Sequence, residues 1–330
     1  MLLGQSRRRW GFTLIELLVV IAIIAILIAI LVPALGAARR YALQAKDSTH
    51  VRSIVQGMIV WAGQHDGDFP RPSSIDLAGN TIDSGSNPGL VKDNTGNILS
   101  VLIFNGMLEA QQAISPAETN ELIVRDTEYE KDEASLANRP ELALWDPGFA
   151  GFPGEQDSFS GVPSNGRRKG ESGEAVGHTS YATAFPFGER SAAWNSDFAG
   201  NSVVAGNRGP IYQGTPGNWR LHLTLGVNSN TLRFYGADNE WNGHLAYGDG
   251  RVEFTKQPDP VGLKMSFGTG SNTSSFADNV FYNENDNDAT ANAAGDQDRP
   301  GRWTNAYLRP WGNVTIDSDV DDPRVALFWD

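Results

Sequence analysis

The chain has 330 residues, no cysteine, and 39 acidic against 26 basic side chains, for a formal charge of −13. Without cysteine there is no disulfide framework, no thiol chemistry and no cysteine–zinc site. The acidic balance argues against a nucleic-acid partner, since neutralising phosphates requires clustered Lys and Arg.

Three of the basic residues, Arg7, Arg8 and Arg9, stand just before an apolar run. From Phe12 to Leu35 the chain reads FTLIELLVVIAIIAILIAILVPAL, with one charge, Glu16, and one proline, Pro33. As a helix this run spans roughly 36 Å, enough to cross a bilayer core of about 30 Å. Its apolar residues cover the helix all round, which requires lipid or other helices as surroundings. The arginines in front stay cytoplasmic, so the rest of the chain lies across the membrane. An ordinary secretory signal fits poorly, because its apolar stretch is only about 7–15 residues long.

Beyond Leu35 the sequence GAARRYALQAKDSTHVRSIVQGMIVWAGQ continues in helical register, with Ile54, Met58, Trp61 and Ala62 on one face. One helix is therefore predicted over residues 12–66, with 12–35 transmembrane and the later part packed on a globular domain. Asp66-Gly67-Asp68 and the following Pro70 and Pro72 end it.

Glu16 is the informative residue in the span. A carboxylate in an apolar segment is costly and is a functional candidate by default. A cut between Gly11 and Phe12 gives Phe12 a new α-amino group. Glu16 of one subunit then has a partner in the amine of its neighbour, and the pair sets the axial register between packed helices.

These residues carry a resemblance. RRRWG-FTLIELLVVIAIIAILIAILVPAL closely resembles the class III leader of type IV prepilins and type II secretion pseudopilins. The resemblance implies that residues 1–11 are a leader, that a prepilin peptidase cuts after Gly11 and methylates the Phe12 nitrogen, and that Glu16 is the registry glutamate. It also implies other pilin or pseudopilin subunits and an inner-membrane assembly platform as partners.

The segment ALGAARRYALQAKDSTHVRSIVQGMIVWAGQHDGDFPRP is similar to the post-anchor region of large pseudopilin-like proteins abundant in planctomycetes and their relatives. Those proteins carry a His-x9-Asp-Gly motif nearer the C-terminus, usually followed by His-Val. Here Asp249-Gly250 is followed by Arg251-Val252, and the position ten before Asp249 is Asn239. The Asp-Gly turn is kept and both histidines are missing, so no role built on them carries over.

Residues 68–98, rich in Gly, Asn, Asp, Ser and Pro, read as irregular surface chain. Residues 98–111 present an apolar face and are expected to form a short helix. Ser115-Pro116-Ala117-Glu118 has capping-box spacing, which predicts a helix start. Residues 126–145 are a charged helix candidate broken by Pro140, and residues 146–178 a loop holding Arg167-Arg168-Lys169, which reads as a surface loop.

After Gly177 the pattern turns to β. NWRLHLTLG is expected to be a strand with Leu221, Leu223 and Leu225 on one face. GHLAYGDGRVEF reads as a hairpin turning at Gly248-Asp249-Gly250. Acidic residues then gather at Asp278, Glu284, Asp286, Asp288, Asp296 and Asp298, and again at Asp317, Asp319, Asp321 and Asp322. Alternate carboxylates in a loop suit a hard cation such as Ca²⁺, with Asp286, Asp288, Asp296 and Asp298 as candidate ligands, although no EF-hand pattern is present. The other reading of this stretch is a solvated acidic loop.

No GxSxG, HExxH, P-loop or GxGxxG signature occurs, and His50, His65, His178, His222 and His244 have no ligand spacing. A non-enzymatic protein is expected. The architecture expected is α+β and pilin-like: a spine helix, then an extracytoplasmic domain over 67–330 with a small antiparallel sheet. The expected function is that of a filament subunit of type IV pilus or secretion pseudopilus kind. The alternative is a minor subunit whose acidic domain meets an exported substrate or a surface. Either way the protein sits in the inner membrane by a single span, with its body periplasmic or on the filament.

Overall fold

A computed structural model describes residues 12–83, 89–154, 173–197, 200, 202–237, 239–292, 294–315 and 323–329. The leader with Gly11, the Arg167–Lys169 knot and the Asp317–Asp322 cluster lie outside the described residues.

Helix α1 runs unbroken from Leu14 to Ala62 and carries Pro33 inside it. Its two halves obey different chemistry. Every large apolar side chain from Phe12 to Leu35 is exposed, whereas Asp47, Val51, Ile54, Val55, Gly57, Met58, Trp61 and Ala62 are buried. The buried set recurs every three or four residues, the period of one helix face. Each of Val51, Ile54, Val55 and Met58, taken fully out of water, contributes about 1.5–3 kcal/mol to docking of the head. Gly57 lets the chain at Met107 approach, since a Cβ there would stand 3.2 Å from the Met107 carbonyl oxygen. The helix stops at Ala62, slightly before the expected Asp66-Gly67-Asp68 end. Gly63 caps it, and Asp66 and Gly67 turn the chain in left-handed conformations (φ 53° and 91°).

Short α2 (Pro72–Ile75) precedes α3 (Thr95–Phe104), which Asn94 caps by accepting from the Asn97 N–H at 2.7 Å. Helix α3 is buried from Thr95 to Ile103, packed between α1 and the chain around Trp145 and Phe149. Ten strands follow: β1 (Tyr181–Thr183), β2 (Val203–Asn207), β3 (Tyr212–Gln213), β4 (Arg220–Leu221), β5 (Gly243–Tyr247), β6 (Val252–Thr255), β7 (Lys264–Thr269), β8 (Asn272–Ala277), β9 (Trp311–Thr315) and β10 (Arg324–Leu327). Strands β1-β2-β5-β6 form one antiparallel sheet, and β3-β4, β7-β8 and β9-β10 are two-stranded ribbons. The layout is α+β and pilin-like, as expected.

The central sheet is buried on both faces. Tyr181, Ala205 and Ala246 pack in the cluster shared with α1 and α3, while Ala182, Val203, Leu245 and Tyr247 pack on Trp241, Val280, Phe281 and Leu308. Since strand side chains alternate, His244 shares the spine-facing side with Ala246. The expected hairpin is present: Tyr247 and Arg251 close the turn, Gly250 takes φ 86°, and His244 sits opposite Phe254.

Three expected elements are replaced by other structure. The Ser115–Glu118 segment is a turn: Ser115 Oγ accepts from the Ala117 N–H while donating to Asp47, and the Glu118 carboxylate pairs with Arg208 and does not reach back to cap. The 126–145 segment is a chain of turns with only a 3₁₀ turn at Pro140–Leu142. Its acids bond local backbone: Asp126 accepts from the Glu128 N–H, and Glu130 from Ser135. The strand expected through Leu225 ends at Leu221, and Leu223 and Leu225 are exposed. There the His222 imidazole accepts from the backbone N–H groups of Thr224 and Leu225, both at 3.4 Å, and bends the chain into a turn.

Buried arginines hold much of the irregular chain. Arg309 donates to the carbonyls of Gly209 (2.5 Å), Pro210 (2.7 Å) and Phe281 (2.9 Å). Arg190 serves Asn283, Asn305 and the Pro300 carbonyl. A guanidinium carries five donors and so satisfies loop carbonyls that no ladder reaches.

Candidate functional site

The site has two parts on one helix: an uncovered N-terminal half and a buried polar lock where the second half meets the head.

At the N-terminus Thr13 is the N-cap. Its Oγ accepts from the Glu16 N–H at 3.2 Å, and Glu16 Oε2 accepts from both the Thr13 N–H and the Thr13 hydroxyl, each at 2.8 Å. This capping box gives the Glu16 carboxylate partners within its own chain. Phe12, next to the predicted cut, is 75% exposed. The cut itself, after Gly11, lies outside the described residues. The structure thus places Phe12 and Glu16 within one turn of each other at the start of a helix whose apolar surface is left uncovered among the described residues. That helix is long and apolar enough to cross a membrane.

The second part was not foreseen from the sequence. Asp47 lies on the buried face of α1 and is closed off from solvent. Its Oδ1 accepts from Ser115 Oγ (2.5 Å) and Tyr181 Oη (2.8 Å), and its Oδ2 from Tyr235 Oη (2.5 Å) and His244 Nδ1 (2.9 Å). Because the acceptor is a carboxylate, Nδ1 of His244 carries the proton. Burial pushes the Asp47 carboxyl up, but the hydrogen bonds from His244, Ser115 and Tyr235 outweigh it and hold it below the ordinary carboxylate value. Burial and the Asp47 charge push the Tyr181 and Tyr235 hydroxyls well above theirs, so both remain donors. Four segments of the head converge on one carboxylate of the spine. The sequence signal was present: Asp47 stands four residues before Val51 and seven before Ile54, on an otherwise apolar face.

Beside it, Glu118 and Arg208 form a second buried pair, with Arg208 Nη2 2.9 Å from Glu118 Oε1. Burial raises the Glu118 carboxyl, and the Arg208 charge more than offsets this, leaving it below its usual value.

The candidate calcium ligands are each engaged locally. Asp286 accepts from the Thr304 N–H and hydroxyl at 2.7 Å, and Asp288 from Thr290. Asp296 pairs with Arg302 at 2.9 Å and Asp298 with Arg324 at 2.6 Å. Among the described residues no three His, Asp or Glu side chains converge as a metal site. His244 of the degenerate motif faces Asp47, and Asn239 lies exposed in a left-handed turn (φ 68°).

Residues 7–32 match the family profile described as the prokaryotic N-terminal methylation motif. No curated protein and no solved structure matches the chain. This short motif, with an apolar N-terminal helix that is long enough to cross a membrane, supports a pilin- or pseudopilin-type precursor, and it implies processing by prepilin peptidase and assembly with other pilin-type subunits.

Proposed function

We propose that the chain is a structural subunit of a type IV pilus-like or type II secretion pseudopilus filament, without enzymatic activity. It is cut after Gly11, methylated on Phe12, and assembled through the first half of α1. The observation that carries this reading is the continuous apolar surface from Phe12 to Leu35 with Glu16 one turn inside it. In the bilayer, lipid covers that surface; in a filament, sister helices do.

Magnitudes favour a change of partner for Glu16 on assembly. A capping interaction is worth about 0.5–2 kcal/mol. A charged side chain left alone costs about 2.5–3.5 kcal/mol at the centre of a membrane on insertion scales, and less towards the end of the span, where Glu16 and the freed Phe12 amine stand. Pairing carboxylate with amine relieves both charges at once, so it displaces the Thr13 contacts. Arg7 to Arg9 keep the leader cytoplasmic and send the head to the periplasmic side.

The size and acidity of the head favour a second role within the same reading: a minor subunit that presents the domain to an exported substrate or a surface. Mass spectrometry of the mature N-terminus is the direct test. Methyl-Phe12 is expected, and an intact Met1 end in a host that has the peptidase overturns the scheme.

A further inference from the structure

The lower edge of the head lies close to the membrane-spanning half of the spine. Gly236 meets the spine at Arg40, and Phe234 and Tyr235 pack with Ala117, Phe254 and Leu43. Leu43 lies eight residues beyond Leu35, about 12 Å along the helix. The polar headgroup layer is about 5–7 Å deep on each side of the hydrocarbon. The head therefore begins within a few ångströms of the lipid surface.

Two features gather at that edge. The first is cationic, in an otherwise acidic protein. Arg39 and Arg40 on the spine, Arg233 in the 3₁₀ segment Asn230–Gly236, and Lys256 just past β6 are all exposed, and none makes an ion pair among the described residues. Arg40 packs against Gly236, and Arg40 and Lys256 line one hollow, where Glu240 is the acidic member. The second is apolar. The turn that leads into Asn230 exposes Leu223 (74%), Leu225 (51%) and Val227 (44%) within five residues. The turn is fixed from inside: the Gly226 and Val227 N–H groups donate to the His222 carbonyl, and the Asn228 amide donates to the Thr224 carbonyl. Tyr41, 70% exposed on the spine, lies at the same level.

We propose that this edge rests on the anionic phospholipid surface of the membrane that holds the spine, with Leu223, Leu225 and Val227 entering the interface and the four cations facing lipid phosphates. Apolar tips flanked by basic side chains suit an interfacial site. Lys and Arg side chains are attracted to an anionic lipid surface, an attraction that salt screens. The inference rests on the spine being membrane-embedded and does not depend on the filament.

The absence of cysteine allows a clean test. Full-length Leu225→Cys, carrying an environment-sensitive fluorophore, is reconstituted in phosphatidylglycerol or phosphatidylcholine vesicles containing lipids with a nitroxide quencher. Flotation with the vesicles checks insertion separately. Leu77→Cys serves as control, being 86% exposed and just past the end of the spine. The expected result is blue-shifted, quenched emission from position 225 in phosphatidylglycerol, lost in high salt and in the Arg233→Gln, Lys256→Gln background, with position 77 aqueous throughout. An aqueous signal at position 225 in floated vesicles overturns the proposal. So does shielding that follows protein concentration and escapes the lipid quencher, since the occupant is then a second copy.

Discussion

Asp47 on the spine and His244 on β5 are 197 positions apart in sequence and 2.9 Å apart in the fold, both cut off from solvent. The contact joins the element that assembles to the domain that is displayed. It also fixes the head's azimuth, because apolar packing alone is non-directional, whereas four hydrogen bonds to one carboxylate tolerate little rotation.

Removing that carboxylate takes away the acceptor shared by four buried donors. Each unpaired buried donor costs about 1–3 kcal/mol. Asp47→Ala is therefore expected to lower the melting temperature of the detergent-solubilised protein by about 5 °C or more, taking about 2–4 °C per kcal/mol for a domain of about 150–250 residues. Asp47→Asn keeps one acceptor and should lose less. Calorimetry of the two variants checks the order, and equal melting of wild type and Asp47→Ala would remove the lock from the account.

Two of the shifted carboxyl groups pull the pH dependence in opposite directions. Asp47 is held below its usual value, so its contribution is complete above the unfolded value and is lost as pH falls through the folded one. Burial, together with the Asp278 charge, raises Glu284 well above its ordinary 4.5. The folded state then holds a proton that the unfolded chain gives up, and stability declines as pH rises above that ordinary value. Melting temperature should fall at both ends, in strong acid and towards alkaline pH. Glu284→Gln keeps a donor to Asp278 and should flatten the alkaline limb alone, measured by thermal melts across pH.

What could be read in advance were elements with a local signature. The apolar run, the face of Ile54, Met58, Trp61 and Ala62, and the Gly248-Asp249-Gly250 hairpin are each set by residues close in the chain, and all three appear. The Ser115 and Leu223 regions differed because long-range or side-chain bonds took over: Arg208 claims the Glu118 carboxylate, and the His222 ring claims the Leu225 N–H. Asp47 itself was overlooked because its meaning depends on Tyr181, Tyr235 and His244, which only the fold brings to it.

The acidic loop gives a third expectation. Asp286 and Asp288 are bound to backbone and hydroxyl donors, and Asp296 and Asp298 to arginines, so recruiting them to Ca²⁺ requires breaking those contacts first. Melting curves with added Ca²⁺ and with chelator should superimpose. A chelator-sensitive transition would mean that the loop rearranges into a cation site.

Glu16 supplies the last test, because its two sets of partners make different demands. Among the described residues it bonds Thr13, so Glu16→Ala loses about 0.5–2 kcal/mol of helix capping at a terminus far from the head. Insertion depends on the apolar run, which the substitution makes more apolar, and should be unchanged. Assembly depends on an acid to meet the Phe12 amine and should fail or fall sharply. Glu16→Gln separates the two effects: its amide oxygen still accepts from Thr13 but carries no charge. If capping were the whole role of Glu16, the Gln variant would assemble like wild type. If the charge is what the neighbour needs, Gln and Ala fail alike, read as filament yield against an unchanged membrane fraction.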